Sequence, residues 1–317
     1  MTRNLPGSDL DRLTRSHDVS IWPDALPPTP QELIENVAGC DALLTLLSDR
    51  IGPEVMDAAG PQLRVISNYA VGYNNIDCDA ARQRGVRIGN TPDVLTDATA
   101  DLAVTLLLAA ARRVSEASAE VREGRWKTWE PSGLIGREPD GRTLGVIGMG
   151  RIGKAFARRM VGGWNMNLLY TSRSEQDDVN EALQAKRVSL DELLKESDFI
   201  SVHVALSEAT RNLIDADAFA KMKPSAVLVN TARGEIIDQD ALVTAIREKQ
   251  IFAAGLDVTS PEPLPASHPL VGLPNVLILP HIGSATDTSR HAMTEIAVDN
   301  VLAGLNDTPL RCEVSLA

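Results

Sequence analysis

The sequence predicts an α/β fold built from two parallel-sheet domains. Short apolar runs alternate with longer helix-like stretches, the signature of strand–helix–strand units. The alternation comes in two series, parted by a long apolar helix and an irregular arm. The chain of 317 residues is long for one compact domain and comfortable for two.

In the first series, residues 42–46, 64–68 and 86–90 read as buried strands. Residues 31–37 and 53–59 read as helices between them, and Thr91-Pro92 closes the third strand. A long apolar helix follows at about 96–112. Asp97 and Asp101 lie in its first turns, where carboxylates complement the helix dipole. Its apolar positions almost surround it, so burial between domains or subunits is expected. Residues 124–141, with Trp126, Trp129, Pro131, Gly133, Gly136 and Pro139, read as an irregular arm. The second series has strands at 143–147, 168–171, 199–202, 226–230, 253–258 and 276–279. Helices fit the gaps, and a last helix at about 288–303 closes the chain.

Composition excludes several function classes. Apolar residues make up 44% and charged residues 23%, ordinary for a globular protein. The net charge of −12 argues against a nucleic-acid partner, which needs a basic surface. The three cysteines, Cys40, Cys78 and Cys312, are widely spaced and lack metal-ligand spacing. No metal site is expected, and a reducing compartment is. No apolar run reaches membrane-spanning length and residues 1–6 do not read as a signal peptide, so a cytoplasmic location is expected.

Gly148-Met149-Gly150-Arg151-Ile152-Gly153 is a G-x-G-x-x-G motif between a strand and a helix. That context makes it the phosphate turn of a Rossmann-type domain. Gly148 permits the tight turn, Gly150 lets backbone approach a pyrophosphate, and Gly153 allows close helix–strand packing. An NAD-binding unit would place Asp or Glu at the end of the next strand. Ser172-Arg173-Ser174 stands there instead. A guanidinium flanked by hydroxyls matches a 2′-phosphate, so the sequence predicts NADPH over NADH, with Glu175 as a nearby opposing charge.

Hydride transfer to a 2-keto acid needs a cation for the carboxylate, an acid for the carbonyl oxygen and a group that holds that acid. Arg233 follows the strand ending at Asn230, Glu262 follows the strand ending near Val258, and His281 follows the strand ending at Leu279. All three lie beyond carboxyl ends of strands, where doubly wound sheets bind ligands. A carboxylate beside an imidazole favours its protonated form, so His281 is a candidate acid with Glu262 as its partner. His203 within a strand, His268 before Pro269, His291 on the last helix and His17 near the N-terminus are less suited.

With these residues in place, the chain resembles the D-isomer-specific 2-hydroxyacid dehydrogenases, and among them the glyoxylate/hydroxypyruvate reductases. Residues 70–77, the glycine turn, and residues 230–234, 255–265 and 280–284 carry the resemblance. It implies a Rossmann-type cofactor domain inserted into a flavodoxin-like substrate domain. The substrate domain would be residues 1–95 and 286–317. The cofactor domain would be residues 96–285, with a dimerisation helix and arm at about 96–142. By the same resemblance Arg233 binds substrate carboxylate and keto oxygen, His281 donates the proton and Glu262 partners it. Backbone N–H groups around Val71 and Gly72 hold the carboxylate, and Ser284 lines the substrate site. Asp257 contacts the nicotinamide carboxamide, while Thr96, Ala205, Thr231 and Gly283 line the cofactor. A homodimer is implied, with Trp129 of the arm bordering the neighbour's site. Only Met1 precedes the segment matching the family's at Thr2–Pro6, so the first strand of the substrate domain is expected to be missing or cut short. The implied activity is NADPH-dependent reduction of glyoxylate and hydroxypyruvate. An NADH-linked D-lactate or D-glycerate dehydrogenase, or a dinucleotide-sensing binding protein, are the alternatives.

Overall fold

Every residue of Val65–Asn68, Phe199–Val202, Val227–Asn230 and Ala253–Leu256 is buried. Strands covered on both faces are near-continuous apolar runs, and they pair in parallel. The computed structural model, which describes residues 1–316, arranges them in two units. One unit is residues 1–95 with the segment from Ser284 onward, and the other is Thr96–Gly283. The chain thus crosses back between Gly283 and Ser284, where the sequence reading placed the crossing after residue 285.

The first unit holds β1 (Ala42–Thr45), β2 (Val65–Asn68) and β3 (Arg87–Gly89), parallel and in that spatial order. Side chains alternate between faces. Leu43, Ile66 and Ile88 pack with Leu33, Val55, Met56 and Ala81 from the helices Pro30–Asn36, Pro53–Ala59 and Cys78–Arg84. The helix Asp287–Leu305 covers the other face. There the Ser67 hydroxyl donates to the Ala297 carbonyl at 2.9 Å, and a Cβ on Gly304 would overlap the Val65 side chain. No strand precedes β1 among the described residues, and Thr2 gives its N–H to the Leu44 carbonyl at 3.1 Å.

The second unit holds β4 (Thr143–Ile147), β5 (Asn167–Thr171), β6 (Lys186–Arg187), β7 (Phe199–Val202), β8 (Val227–Asn230), β9 (Ala253–Leu256) and β10 (Val276–Ile278). They form one parallel sheet in the order β10-β9-β8-β7-β4-β5-β6. Alternate residues feed two cores. Ile147, Ile200, Val202, Leu228 and Leu256 serve one face, and Leu144, Val146, Phe199, Val227 and Val229 the other. Strand order reverses at the β4–β7 pair, the point beyond whose carboxyl ends doubly wound sheets bind ligands. Strand β6 escapes a reading based on apolar runs because both of its residues are exposed and charged.

The long helix spans Thr96–Ala111. It buries Ala100, Ala103, Leu106, Leu107 and Ala110, while Asp101 and Thr105 stay exposed, so it is covered on one face rather than all round. Asp97 and Asp101 do more than complement the helix dipole. Both pair with Arg159 of the helix Arg151–Trp164, at 2.8 and 2.5 Å. Residues 124–141 have no helix or strand. The arm is tied back where the Arg137 N–H reaches the Ala111 carbonyl at 2.8 Å and its guanidinium lies 4.8 Å from the Phe252 ring centre.

Gly304→Ala should destabilise the fold by about 1–3 kcal/mol, because the added methyl overpacks the helix against β2. Urea unfolding measures this. Combined with Val65→Ala, the loss should be smaller than the sum of the two single losses.

Candidate active site

Strand β4 ends at Ile147 and the chain turns at Gly148, whose φ of +97° lies in the region that favours glycine. A Cβ there would also sit 2.7 Å from the His203 carbonyl, beyond the end of β7. A Cβ on Gly153 would overlap the Gly148 carbonyl, so the helix Arg151–Trp164 can start against the turn only with glycine there. Gly150 differs, because a Cβ there would meet nothing within 4 Å. Two glycines are thus needed by the protein's own packing, while the third leaves open space before a helix N-terminus. That end carries unpaired N–H groups and favours an anion. Met149 is buried beneath the turn, Ile152 is half-buried and Arg151 is exposed at the helix start.

Thr231, just past β8, has a buried hydroxyl with no hydrogen-bond partner among the described residues. Buried polar atoms are rarely left so, and a ligand would satisfy this one. The open space at Gly150, the helix N-terminus and this hydroxyl fit a dinucleotide. Thr96 opens the long helix, and the Ala205 carbonyl accepts from the Thr210 hydroxyl at 2.7 Å. His203 is half-buried one residue past β7, rather than within a strand. Burial pushes its pKa down to about 3, so it is neutral, with Nε2 2.8 Å from the Ser201 hydroxyl.

Ser172-Arg173-Ser174 follows β5 directly. The Ser172 hydroxyl donates to the Ser174 carbonyl at 2.5 Å. The exposed Arg173 guanidinium has no hydrogen-bond or ion-pair partner among the described residues. Glu175, the opposing charge, accepts from the Asn180 amide at 2.9 Å. Arg187 of β6, which sequence reasoning missed, donates to the Ser172 and Arg173 carbonyls. It had no signal of its own, being one charged residue on an exposed strand.

Arg233, Glu262 and His281 lie past β8, β9 and β10, within one unit. Asn230 braces the first loop, accepting from the Ala232 N–H at 2.9 Å and donating to the Arg233 carbonyl at 2.8 Å. A Cβ on Gly234 would overlap the Thr259 carbonyl, so the loops after β8 and β9 touch through backbone. Gln239 clamps the second loop, bonding both the N–H and the carbonyl of Ser260. Neither Gln239 nor the contact at Gly234 was foreseen from sequence, since both depend on which loops meet.

His281 adopts φ +55°. A non-glycine residue in the left-handed region costs about 1–2 kcal/mol, so its surroundings must hold it there. Asp257, almost fully buried, accepts from the N–H groups of Ile282 at 2.7 Å and Gly283 at 2.8 Å. Burial raises the Asp257 pKa, and these two bonds act against that rise. With the turn so fixed, His281 Nδ1 lies 2.9 Å from Glu262 Oε2, and the other Glu262 oxygen accepts from the Thr259 N–H at 2.9 Å. Burial alone would raise the Glu262 pKa. The bond and charge of His281, the Thr259 N–H and the charge of Arg233 outweigh it and hold the carboxyl below its usual range. Burial lowers the Arg233 pKa, yet a guanidinium stays protonated at any working pH. The arrangement is an imidazole fixed by a carboxylate, beside a half-buried permanent cation.

Val71, Gly72 and Ser284 belong to the other unit. The Asn90 amide donates to the Val71 carbonyl and the Asn68 amide to the Gly72 carbonyl, both at 2.9 Å. In a trans peptide the next N–H points opposite to the carbonyl. The N–H groups of Gly72 and Tyr73 are therefore turned away from the two asparagines. The Ser284 carbonyl accepts from the Thr286 N–H at 2.8 Å. Trp129 is 79% exposed on the arm. Among the described residues no cluster of three or more His, Cys, Asp or Glu could hold a metal ion, and no helix is long and apolar enough to cross a membrane.

The depressed pKa of Glu262 has a sign that can be checked. A carboxyl whose folded pKa lies below its unfolded value stabilises the fold above that unfolded value, near 4.5, and loses this as pH falls through the folded pKa. Glu262→Gln should therefore melt below the wild type at pH 7. The gap should narrow as thermal unfolding is followed below about pH 4.5.

Comparison with known proteins places this geometry in a family. Residues 104–283 match the profile of the D-isomer specific 2-hydroxyacid dehydrogenase NAD-binding domain. The glyoxylate reductase/hydroxypyruvate reductase of Homo sapiens is 46% identical, over 100% of this chain and 97% of its own length. The glyoxylate reductase of Korarchaeum cryptofilum is 46% identical, over 96% of this chain and 91% of its own. A crystal structure of a Thermus thermophilus protein superposes with a TM-score of 0.92 at 47% identity, covering 99% of this chain and 98% of that one. The chain therefore belongs to the D-isomer-specific 2-hydroxyacid dehydrogenases and is an oxidoreductase that works with an NAD(P) cofactor.

Proposed function

We propose that the protein is an NADPH-preferring reductase of small 2-keto acids, glyoxylate and hydroxypyruvate first. The observation that carries this reading is the His281–Glu262 pair at 2.9 Å beside Arg233. Relatives named for these two substrates support the choice among keto acids.

The bound nucleotide supplies the hydride, and the residues of the chain do the rest. Gly148 to Gly153, Thr96, Ala205, Thr231, Asp257 and Gly283 hold and orient the cofactor. In the Ser172–Ser174 loop, which the Ser172 hydroxyl braces, Arg173 and Ser174 receive its 2′-phosphate. Arg233 binds the substrate carboxylate and polarises the keto oxygen. His281, protonated and held through Nδ1 by Glu262, gives the proton at Nε2 to that oxygen as it gains charge. The ring nitrogen it uses is fixed because the other is committed to the carboxylate. The turned N–H groups after Val71 and Gly72 suit a carboxylate, and Ser284 adds a hydroxyl to substrate binding. The substrate unit is residues 1–95 with the C-terminal helix, and a cytoplasmic site of action fits the free cysteines.

A homodimer is part of this reading. Val114, Val121, Trp126, Trp129 and Ile135 are each more than half exposed, within one stretch of the chain. Such a concentration of exposed apolar side chains marks an interface. Trp129 is further proposed to border the partner's substrate site.

Oxidation of NADPH and NADH over a panel of 2-keto acids tests the function. Glyoxylate and hydroxypyruvate should give the highest kcat/KM, with NADPH preferred. Activity confined to D-lactate-type substrates with NADH would reject the assignment. His281→Ala should lower kcat by about 10²- to 10⁴-fold with folding and cofactor binding intact. In sedimentation equilibrium the wild type should be dimeric, and Trp126→Glu with Trp129→Glu should shift it toward monomer. Trp129→Ala should change the relative rates on glyoxylate and hydroxypyruvate; unchanged ratios would leave this residue a packing role only.

A further inference from the structure

Arg187 carries a role that no active-site feature assigns. It lies on the edge strand β6, paired with Tyr170 of β5. Its Nε and Nη2 donate to the Ser172 carbonyl at 3.1 and 2.9 Å, and Nη2 also donates to the Arg173 carbonyl at 3.2 Å. The next carbonyl, of Ser174, accepts from the Ser172 hydroxyl at 2.5 Å and the Gln176 amide at 3.4 Å. Three consecutive carbonyls are thus engaged from within the protein.

Peptide planarity makes this more than bracing. When the Ser172 and Arg173 carbonyls point to Arg187, the N–H groups of Arg173 and Ser174 must point away from it. Neither N–H donates a hydrogen bond among the described residues. The Ser174 hydroxyl accepts from the Gln176 amide at 3.0 Å, which leaves its proton to donate elsewhere. Two amide donors, a hydroxyl proton and the unpartnered Arg173 guanidinium therefore share one short loop. A phosphate dianion needs such a set of donors. It would be repelled by carbonyl oxygens turned toward it, and Arg187 holds those oxygens away.

We propose that Arg187 is a positioning residue for the 2′-phosphate of NADPH, setting the 172–174 loop in its anion-receiving form and so determining cofactor choice. This rests on the NADPH reading above. The alternative is that Arg187 merely closes the sheet edge. Its loss would then affect both nucleotides alike.

Calorimetric binding of 2′,5′-ADP and 5′-ADP to the full chain separates these. Arg187→Met should weaken 2′,5′-ADP about tenfold, the loss of one to two charge-assisted hydrogen bonds. It should leave 5′-ADP within about twofold, a change of less than half a kcal/mol by RT ln 2. Arg187→Lys, which keeps the charge but not the forked geometry, should recover part of the loss. In steady state the KM for NADPH should rise with kcat unchanged. Equal weakening of both probes, or unchanged 2′,5′-ADP binding in a variant with wild-type melting, overturns the proposal. Should Arg187→Met fail to fold, Arg187→Lys decides alone, by the same ratio of the two probes. Arg173→Ala is the control for the underlying reading. If the wild type binds 2′,5′-ADP no better than 5′-ADP, the NADPH reading fails and this proposal with it. If Arg173→Ala abolishes discrimination while Arg187→Met preserves it, only the role of Arg187 fails.

Discussion

Beneath the candidate site the Asp257 carboxylate accepts from two successive backbone N–H groups, those of Ile282 and Gly283. A buried carboxylate is expensive unless charge-assisted hydrogen bonds satisfy it. Here those bonds also tie the end of β9 to the turn after β10. The turn carries His281 in the left-handed region, a conformation it would not hold alone. In that conformation the imidazole meets Glu262. Glu262 in turn lies on a loop packed through backbone against Gly234, next to Arg233. The buried acceptor fixes the turn after β10, and backbone packing at Gly234 joins the loops after β8 and β9. Gly283 stays small for the same reason, since a Cβ would crowd both Asp257 and Thr99, at 3.2 and 3.3 Å.

Much of this was legible in the sequence because it rests on local pattern. The glycine spacing at 148–153 requires a tight turn, open backbone and close packing, and each glycine meets one of those needs in the structure. Apolar runs marked nine of the ten strands to within a residue or two, since a buried parallel strand is apolar throughout. The polar edge strand β6 has no such run and was not seen. The helix Thr96–Ala111 was judged apolar almost all round, and within the single chain Asp101 and Thr105 face out. Alanine-rich helices blur the two faces, because alanine suits either. The supports for Arg233 and Glu262 were not legible for a different reason. Gln239 reaches Ser260 only after topology has placed β8 beside β9, and no window of sequence contains both.

The same device recurs in three loops. At Val71 and Gly72, asparagine amides hold carbonyls. At Ala232 and Arg233, the Asn230 amide engages both a donor and an acceptor of its own loop. At Ser172 and Arg173, a guanidinium does so. Loops that bind anions have to present N–H groups, yet every peptide carries a carbonyl pointing the opposite way. Left to water, such loops would sample both orientations. A donor side chain on the carbonyl side selects one of them before any ligand arrives, which reduces the ordering lost on binding.

The donor chosen differs with what is to be bound. A neutral amide orients a peptide without adding charge, which suits a site where a carboxylate must also be released. On the proposed reading Arg187 would add a full positive charge as well as orientation, which suits a phosphate carrying up to two negative charges. The acidic chain, at a net −12, makes this local concentration necessary. Its mean field repels both an anionic cofactor and an anionic substrate, so attraction must come from a few placed groups acting at hydrogen-bond range, where screening by salt is weak. On the function proposed above, Arg173, Arg187 and Arg233, with the amides their neighbours turn outward, would be such groups.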